Sequence, residues 1–66
     1  MKRWLIHFSI KYTNEAFKEG NVEVEAANIS DALNNVVENI QKPYLKDPEI
    51  TDFVIWDIGI IEEDVF

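Results

Sequence analysis

The side chains of this 66-residue chain that could carry chemistry are mostly carboxylates. Thirteen residues are Asp or Glu against six Lys or Arg, one is histidine (His7), and none is cysteine. Zinc sites and Cys/His nucleophile pairs therefore lack the residues that build them. The two glycines, Gly20 and Gly59, are too far apart in the chain to form a glycine-rich phosphate loop.

Carboxylate chemistry is the remaining catalytic option, and the length of the chain argues against it. Glycosidases need two acids that flank a deep cleft, whereas 66 residues allow one domain with a single core. The three consecutive acids from Glu62 to Asp64 lack the alternating spacing of a calcium loop. We therefore expect no enzyme, no cofactor and no metal, and we expect His7 to be a partly covered strand or interface residue.

Charge is distributed unevenly along the chain. Residues 1–18 hold four cations against one acid, whereas residues 19–66 hold two lysines against twelve acids, for a formal net charge of −7. Such a surface repels nucleic acid and anionic lipid and attracts a basic protein. The same acidity also keeps an ordinary domain in solution, so both uses stay open at this point.

Three segments have the features of β-strands. Residues 2–12 alternate between two faces without a break, residues 22–26 alternate in the same way, and residues 50–61 are rich in β-branched and aromatic residues. The polar segment 13–21 predicts a flexible connection, with Phe17 folded back onto the core.

One helix is predicted between the second and third strands. Asn28 or Ser30 can cap its first turn, and Pro43 is expected to end it. Both prolines fall in the loop 42–49 that follows. The apolar stripe at i, i+3, i+4, i+7 spacing comprises Leu33, Val36, Val37 and Ile40.

These elements predict an α+β fold with the order β-β-α-β, in one small domain over residues 1–66. A hairpin followed by a right-handed crossover gives a three-stranded sheet of order 2-1-3 with the helix packed on one face. The residues expected to fill the core are Trp4, Phe8, Val24, Leu33, Val37 and Trp56.

The last strand is apolar on both of its faces. Either a bulge near Gly59 resets the alternation, or a second subunit covers the other face. We expect a homodimer, because a small domain gains little from leaving an apolar sheet face in water. The residues expected at the dimer interface are Leu5, His7, Phe53, Ile55 and Ile61.

In size, acidity, lack of cysteine and sheet-plus-helix layout, the chain resembles the small acidic DNA-mimic proteins of bacteriophages, including the phage inhibitor of the bacterial nucleoid protein HU. The resemblance implies a protein that binds and inhibits a basic nucleic-acid-binding protein by occupying its DNA site. Glu23 and Glu25, two apart on a strand, would lie about 6.7 Å apart, comparable with neighbouring phosphates.

This hypothesis makes the carboxylates the surface that binds a basic DNA-binding protein, with no direct contact to nucleic acid or membrane. The start, Met1-Lys2-Arg3-Trp4, lacks a signal peptide's apolar stretch, so we expect a cytoplasmic protein. The alternative is a structural or regulatory homodimerisation module whose acidity serves only solubility. The expected partner-binding residues are Glu15, Glu19, Glu23, Glu25, Asp31, Glu38, Asp47, Glu49, Asp52, Glu62, Glu63 and Asp64.

Overall fold

The computed structural model describes residues 1–63 and contains the predicted β-β-α-β order. The strands are β1 (Lys2–Tyr12), β2 (Phe17–Ala26) and β3 (Ile50–Glu62), and the sheet order is β2-β1-β3. The helical layer consists of α1 (Ile29–Val36), a π-helical segment (Val37–Gln41) and α2 (Lys42–Leu45). The α+β class and the 2-1-3 sheet are thus confirmed, in a molecule with Cα extents of 43 × 17 × 15 Å.

β1 is the central strand and pairs antiparallel with both neighbours. The hairpin to β2 is tighter than the sequence suggested, because the Tyr12 amide donates to the Ala16 carbonyl at 2.8 Å and Glu15 takes a positive φ of 68°. β2 consequently begins at Phe17 rather than at Val22. The prediction that Phe17 folds back onto the core was wrong, since its side chain is 68% exposed.

The core lies between the helical layer and one face of the sheet. Trp4, Ile6, Phe8 and Ile10 of β1 are buried, as their strict alternation predicts. The Trp4 indole satisfies its buried N–H by donating to the Ala26 carbonyl at 3.1 Å. From Trp4 to Ile10, β1 therefore presents an apolar side to the helix and a partly covered side away from it.

The helix begins where the sequence suggested. The Asn28 side chain is the cap and accepts from the Asp31 amide at 2.9 Å, so Asn28 rather than Ser30 fills this position. The predicted stripe is confirmed at Val36, which is buried, and at Ile40, which packs against the core. Leu33 and Val37 are only partly covered, and Ala32, which lies outside the predicted stripe, is buried.

Pro43 does not end the helix, and that prediction was wrong. Proline has no N–H to donate within an α-helical turn, which normally breaks the helix. Here the chain widens into a π turn, in which the Lys42 amide donates to the Val37 carbonyl five residues earlier. Helical rotation then continues to Leu45, with Pro43 in the first turn of α2, where an N–H is not required.

β3 contains three irregularities of register against β1. The middle one lies where Ile55 pairs with Phe8 and Asp57 pairs with His7, so Trp56 is an extra residue without a partner of its own. Bulges at Trp56 and Ile61 thus flank Gly59, which itself pairs regularly with Leu5.

The bulges decide which residues of β3 face the core. Phe53, Ile55 and Ile58 pack against the buried clusters, whereas Trp56 is 53% exposed. Two predictions were therefore wrong: Trp56 is not a core residue, and Phe53 and Ile55 do not lie on the face opposite the helix. Leu5, His7 and Ile61 do lie on that face.

Candidate protein-binding surface on the open sheet face

The sheet face opposite the helix has no covering layer within residues 1–63, and we call it the open sheet face. Odd-numbered residues of β1 and β2 lie on it because side chains alternate along a strand. On β3 the bulges at Trp56 and Ile61 each place two successive residues opposite one residue of β1. Its residues are Arg3, Leu5, His7, Ser9 and Lys11 of β1, Phe17, Glu19, Asn21, Glu23 and Glu25 of β2, and Asp52, Val54, Trp56, Asp57, Gly59, Ile61 and Glu62 of β3.

Carboxylates on this face form two rows along the two edge strands. The rows are separated by β1, so their backbones lie two strand spacings, about 9.6 Å, apart. On β2, Glu23 and Glu25 are two positions apart, about 6.7 Å. The acids on β3 are more widely spaced, because they pair with β1 residues that are four positions apart, about 13 Å. The β2 row is Glu19, Glu23 and Glu25, and the β3 row is Asp52, Asp57 and Glu62.

The negative charge of the chain is concentrated on this face. Six carboxylates against Arg3 and Lys11 leave the open sheet face at −4. The remaining −3 belongs to Glu15 in the β1–β2 connection and to Glu63 and Asp64 at the end of the chain. The rest of the molecule, which we call the helix side, is neutral, with Lys2, Lys18, Lys42 and Lys46 balancing Asp31, Glu38, Asp47 and Glu49.

Between the two rows the face is partly apolar. Trp56 packs against the His7 ring, with centroids 5.0 Å apart and an interplanar angle of 31°. Val54 is 52% exposed, and with Phe17 it lines a shallow depression of about 250 Å³ that also includes Asp52 and Glu15. Lys11 lies beside it too, so the apolar groups are bordered by charges of both signs, with the acids in the majority. Exposed apolar groups with a charged border are typical of a surface that binds another protein.

Arg3 joins all three strands at one end of the face. Its guanidinium donates to Glu25 of β2 at 3.2 Å and to Glu62 of β3 at 3.1 Å. The hydrogen bond to Glu25, followed by the charge of Glu62, raises the pKa of Arg3 above its ordinary value. Glu25 and Glu62 are therefore partly compensated.

The other four open-face carboxylates take part in none of the ion pairs described for residues 1–63. They are Glu19, Glu23, Asp52 and Asp57.

The predicted partner-binding residues divide between the two sides of the molecule. Glu19, Glu23, Glu25, Asp52 and Glu62 share the open sheet face, and Glu15 lies at its end. Asp31, Glu38, Asp47 and Glu49 lie on the helix side, Glu63 follows β3, and Asp64 is outside the described residues.

The structure adds Asp57, which the sequence interpretation left out of the partner-binding set. The available signal was a single acid within the otherwise uncharged stretch 53–61.

Other parts of the described structure combine fewer charged and exposed apolar groups than the open sheet face does. A groove of about 470 Å³ beside β2 is lined mainly by apolar side chains, including Phe8, Ile40 and Tyr44, together with the amides Asn21 and Asn39. Among residues 1–63, no three His, Asp or Glu side chains are grouped so that they could hold a metal ion. Over the same residues, every helix is too short or too polar to cross a membrane.

Comparison with known proteins leaves the chain without a family assignment. Neither a family model, nor a curated protein, nor a solved structure matches it.

Proposed function

We propose that this protein binds and inhibits a basic nucleic-acid-binding protein by covering that protein's DNA site with the open sheet face. The nucleoid protein HU is the partner to test first, on the strength of the resemblance in size, acidity and layout. The observation that carries the proposal is the unequal charge of the two sides, −4 on the open sheet face against zero on the helix side. Acidity that served only solubility would not need to be concentrated on one side.

The dimensions of the open sheet face support mimicry of a nucleic-acid backbone. Two rows of carboxylates flank a central stripe, as two phosphate rows flank a groove. The molecule is 43 Å long, which corresponds to about 12 base-pair steps of 3.4 Å. A duplex of that length carries about 25 phosphate charges, so the protein must supplement its six open-face carboxylates with other contacts.

A homodimerisation module is the second candidate, and the exposed apolar side chains favour it. Phe17, Val54 and Trp56 are each more than half exposed on one face, and a second copy could cover them. Two open sheet faces in contact would oppose one net charge of −4 with another, however. Charge repulsion of this kind is avoided when the occupant is a basic protein.

In this proposal the protein acts in the cytoplasm as a binding protein rather than as an enzyme, and it contacts neither nucleic acid nor membrane directly. The open sheet face presents carboxylates and apolar groups to the solvent. Such a surface favours association with a basic macromolecule.

Displacement of a fluorescent DNA duplex from HU tests the proposal. Two triple variants change the net charge equally on opposite sides. The open-face variant is Glu19→Gln, Glu23→Gln and Asp57→Asn, and the helix-side control is Asp31→Asn, Glu38→Gln and Glu49→Gln.

The open-face variant should bind HU more weakly by about 0.6 to 3 kcal/mol, because exposed ion pairs contribute about 0.2 to 1 kcal/mol each. The helix-side variant should displace DNA nearly as well as the unmodified protein. If folded unmodified protein in large excess leaves the HU–DNA complex intact, or if the two variants lose displacement equally, the proposal is wrong.

A further inference from the structure

Trp56 and Asp57 lie side by side on the open sheet face because of the bulge in β3. Ile55 pairs with Phe8 and Asp57 pairs with His7, so both Trp56 and Asp57 lie opposite His7. In a regular strand only one of two successive residues could be on this face. Bulges re-aim side chains in this way and are enriched near functional sites.

The two side chains offer complementary groups to a cation. Trp56 is 53% exposed, and His7 packs against its ring at 5.0 Å. An indole face attracts cations more strongly than any other aromatic side chain does. Asp57 adds a carboxylate that takes part in none of the ion pairs described for residues 1–63.

The geometry points to an arginine-binding subsite formed by Trp56 and Asp57, occupied by an arginine side chain of the basic partner. This inference rests on the proposed function and specifies the chemistry of the contact. A guanidinium is planar, stacks on aromatic rings and donates two parallel hydrogen bonds to a carboxylate. A lysine ammonium is attracted by the same carboxylate rows but lacks the planar group.

The subsite makes the open sheet face different from a row of charges alone. Carboxylate rows attract lysine and arginine through net charge and distinguish them weakly. Trp56 should bind an arginine side chain more strongly than a lysine side chain, because only the flat guanidinium can stack on the indole ring. The protein should therefore prefer arginine-rich surfaces, and this preference should depend on Trp56.

Labelled hexa-arginine and hexa-lysine peptides provide the probes, with binding followed by fluorescence polarisation. The test variant is Trp56→Leu, and the matched control is Val54→Ala, which changes an equally exposed apolar residue of the same strand and face. Tryptophan emission provides a second measurement. Trp4 is buried and bonded to the Ala26 carbonyl, so a change on peptide binding reports Trp56.

We expect hexa-arginine to bind the unmodified protein more tightly than hexa-lysine. The dissociation constant of hexa-lysine divided by that of hexa-arginine should fall about two- to fivefold in Trp56→Leu. The ratio should be unchanged in Val54→Ala. An equal ratio in Trp56→Leu and the unmodified protein would overturn the subsite.

The subsite and the proposed function can fail separately. If DNA is displaced from HU but the ratio does not depend on Trp56, the subsite is wrong and the proposed function stands. If the ratio depends on Trp56 but HU keeps its DNA, the subsite stands and the proposed function is wrong.

Discussion

The ring of Phe8 covers Gly20 on the neighbouring strand. The two residues are cross-strand partners of β1 and β2, and a Cβ at Gly20 would lie 2.7 Å from Cζ of Phe8. The same ring stacks on Phe53 of β3, with centroids 4.8 Å apart. Phe8 thus fills the sheet surface between both edge strands, and only a residue without a side chain fits beneath its ring.

Gly20→Ala should lower the free energy of unfolding by about 1 to 3 kcal/mol, because the added methyl group must displace a buried ring. Gly59→Ala is the matched control in β3, where an added Cβ meets no atom within 4 Å. That variant should keep or slightly raise the stability, since alanine has less conformational freedom to lose on folding. Urea denaturation of both variants checks the difference, and equal effects would contradict this account of Phe8.

Val54 and Ile55 should respond oppositely to lysine. Ile55 is partly buried and packs against the core, so Ile55→Lys should lower the free energy of unfolding, because a charged group would replace apolar contacts. Val54 is on the open sheet face, and Val54→Lys should stay folded. Urea denaturation followed by circular dichroism distinguishes the two, and an equal or smaller loss of stability in Ile55→Lys than in Val54→Lys would contradict the assigned bulge.

Sedimentation equilibrium tests the homodimer on the same variant. If the open sheet face joins two copies, the unmodified protein is dimeric at high micromolar concentration and Val54→Lys is monomeric. A monomeric unmodified protein at that concentration would exclude the homodimerisation module.

Asn28→Ala should lower the free energy of unfolding by about 0.5 to 2 kcal/mol, because the Asp31 amide loses the side chain that accepts its hydrogen bond. Ser30→Ala is the control, since Ser30 lies inside α1 and does not cap it. Thermal and urea denaturation should show the difference. A larger loss of stability in Ser30→Ala than in Asn28→Ala would show that Ser30, and not Asn28, caps the helix.

Arg3→Gln should strengthen binding to HU at low salt, because it removes a cation from the open sheet face and frees Glu25 and Glu62. Lys42→Gln changes the net charge equally on the helix side, where Lys42 pairs with Glu38 at 2.7 Å. It should leave binding nearly unchanged. Titration of HU with each variant at two salt concentrations checks this, and equal strengthening would mean that total charge alone governs binding.

The central strand was predictable because its alternation determines a single outcome. From Trp4 to Ile10, apolar and partly polar positions alternate without interruption, and β1 carries no extra residue. Since β1 pairs on both sides, the same residues also set the positions of their partners in the neighbouring strands.

The alternation of side chains did not predict which residues of β3 face the core. Apolar side chains occur at both odd- and even-numbered positions of β3, so the pattern does not indicate which of the two faces is buried. One extra residue at Trp56 reverses the faces, and no residue type marks that position in the sequence. Trp56 and Asp57 therefore become recognisable as neighbours only from the register against His7.

The elongated shape has a hydrodynamic consequence. The Cα radius of gyration is 12.9 Å, whereas a compact chain of this length would have about 11 Å. Friction in water grows with elongation, so a single copy will elute from a sizing column earlier than globular standards of its mass. Elution volume alone would overstate the molecular mass. A stoichiometry assigned to a complex from elution volume would then be too high for the same reason.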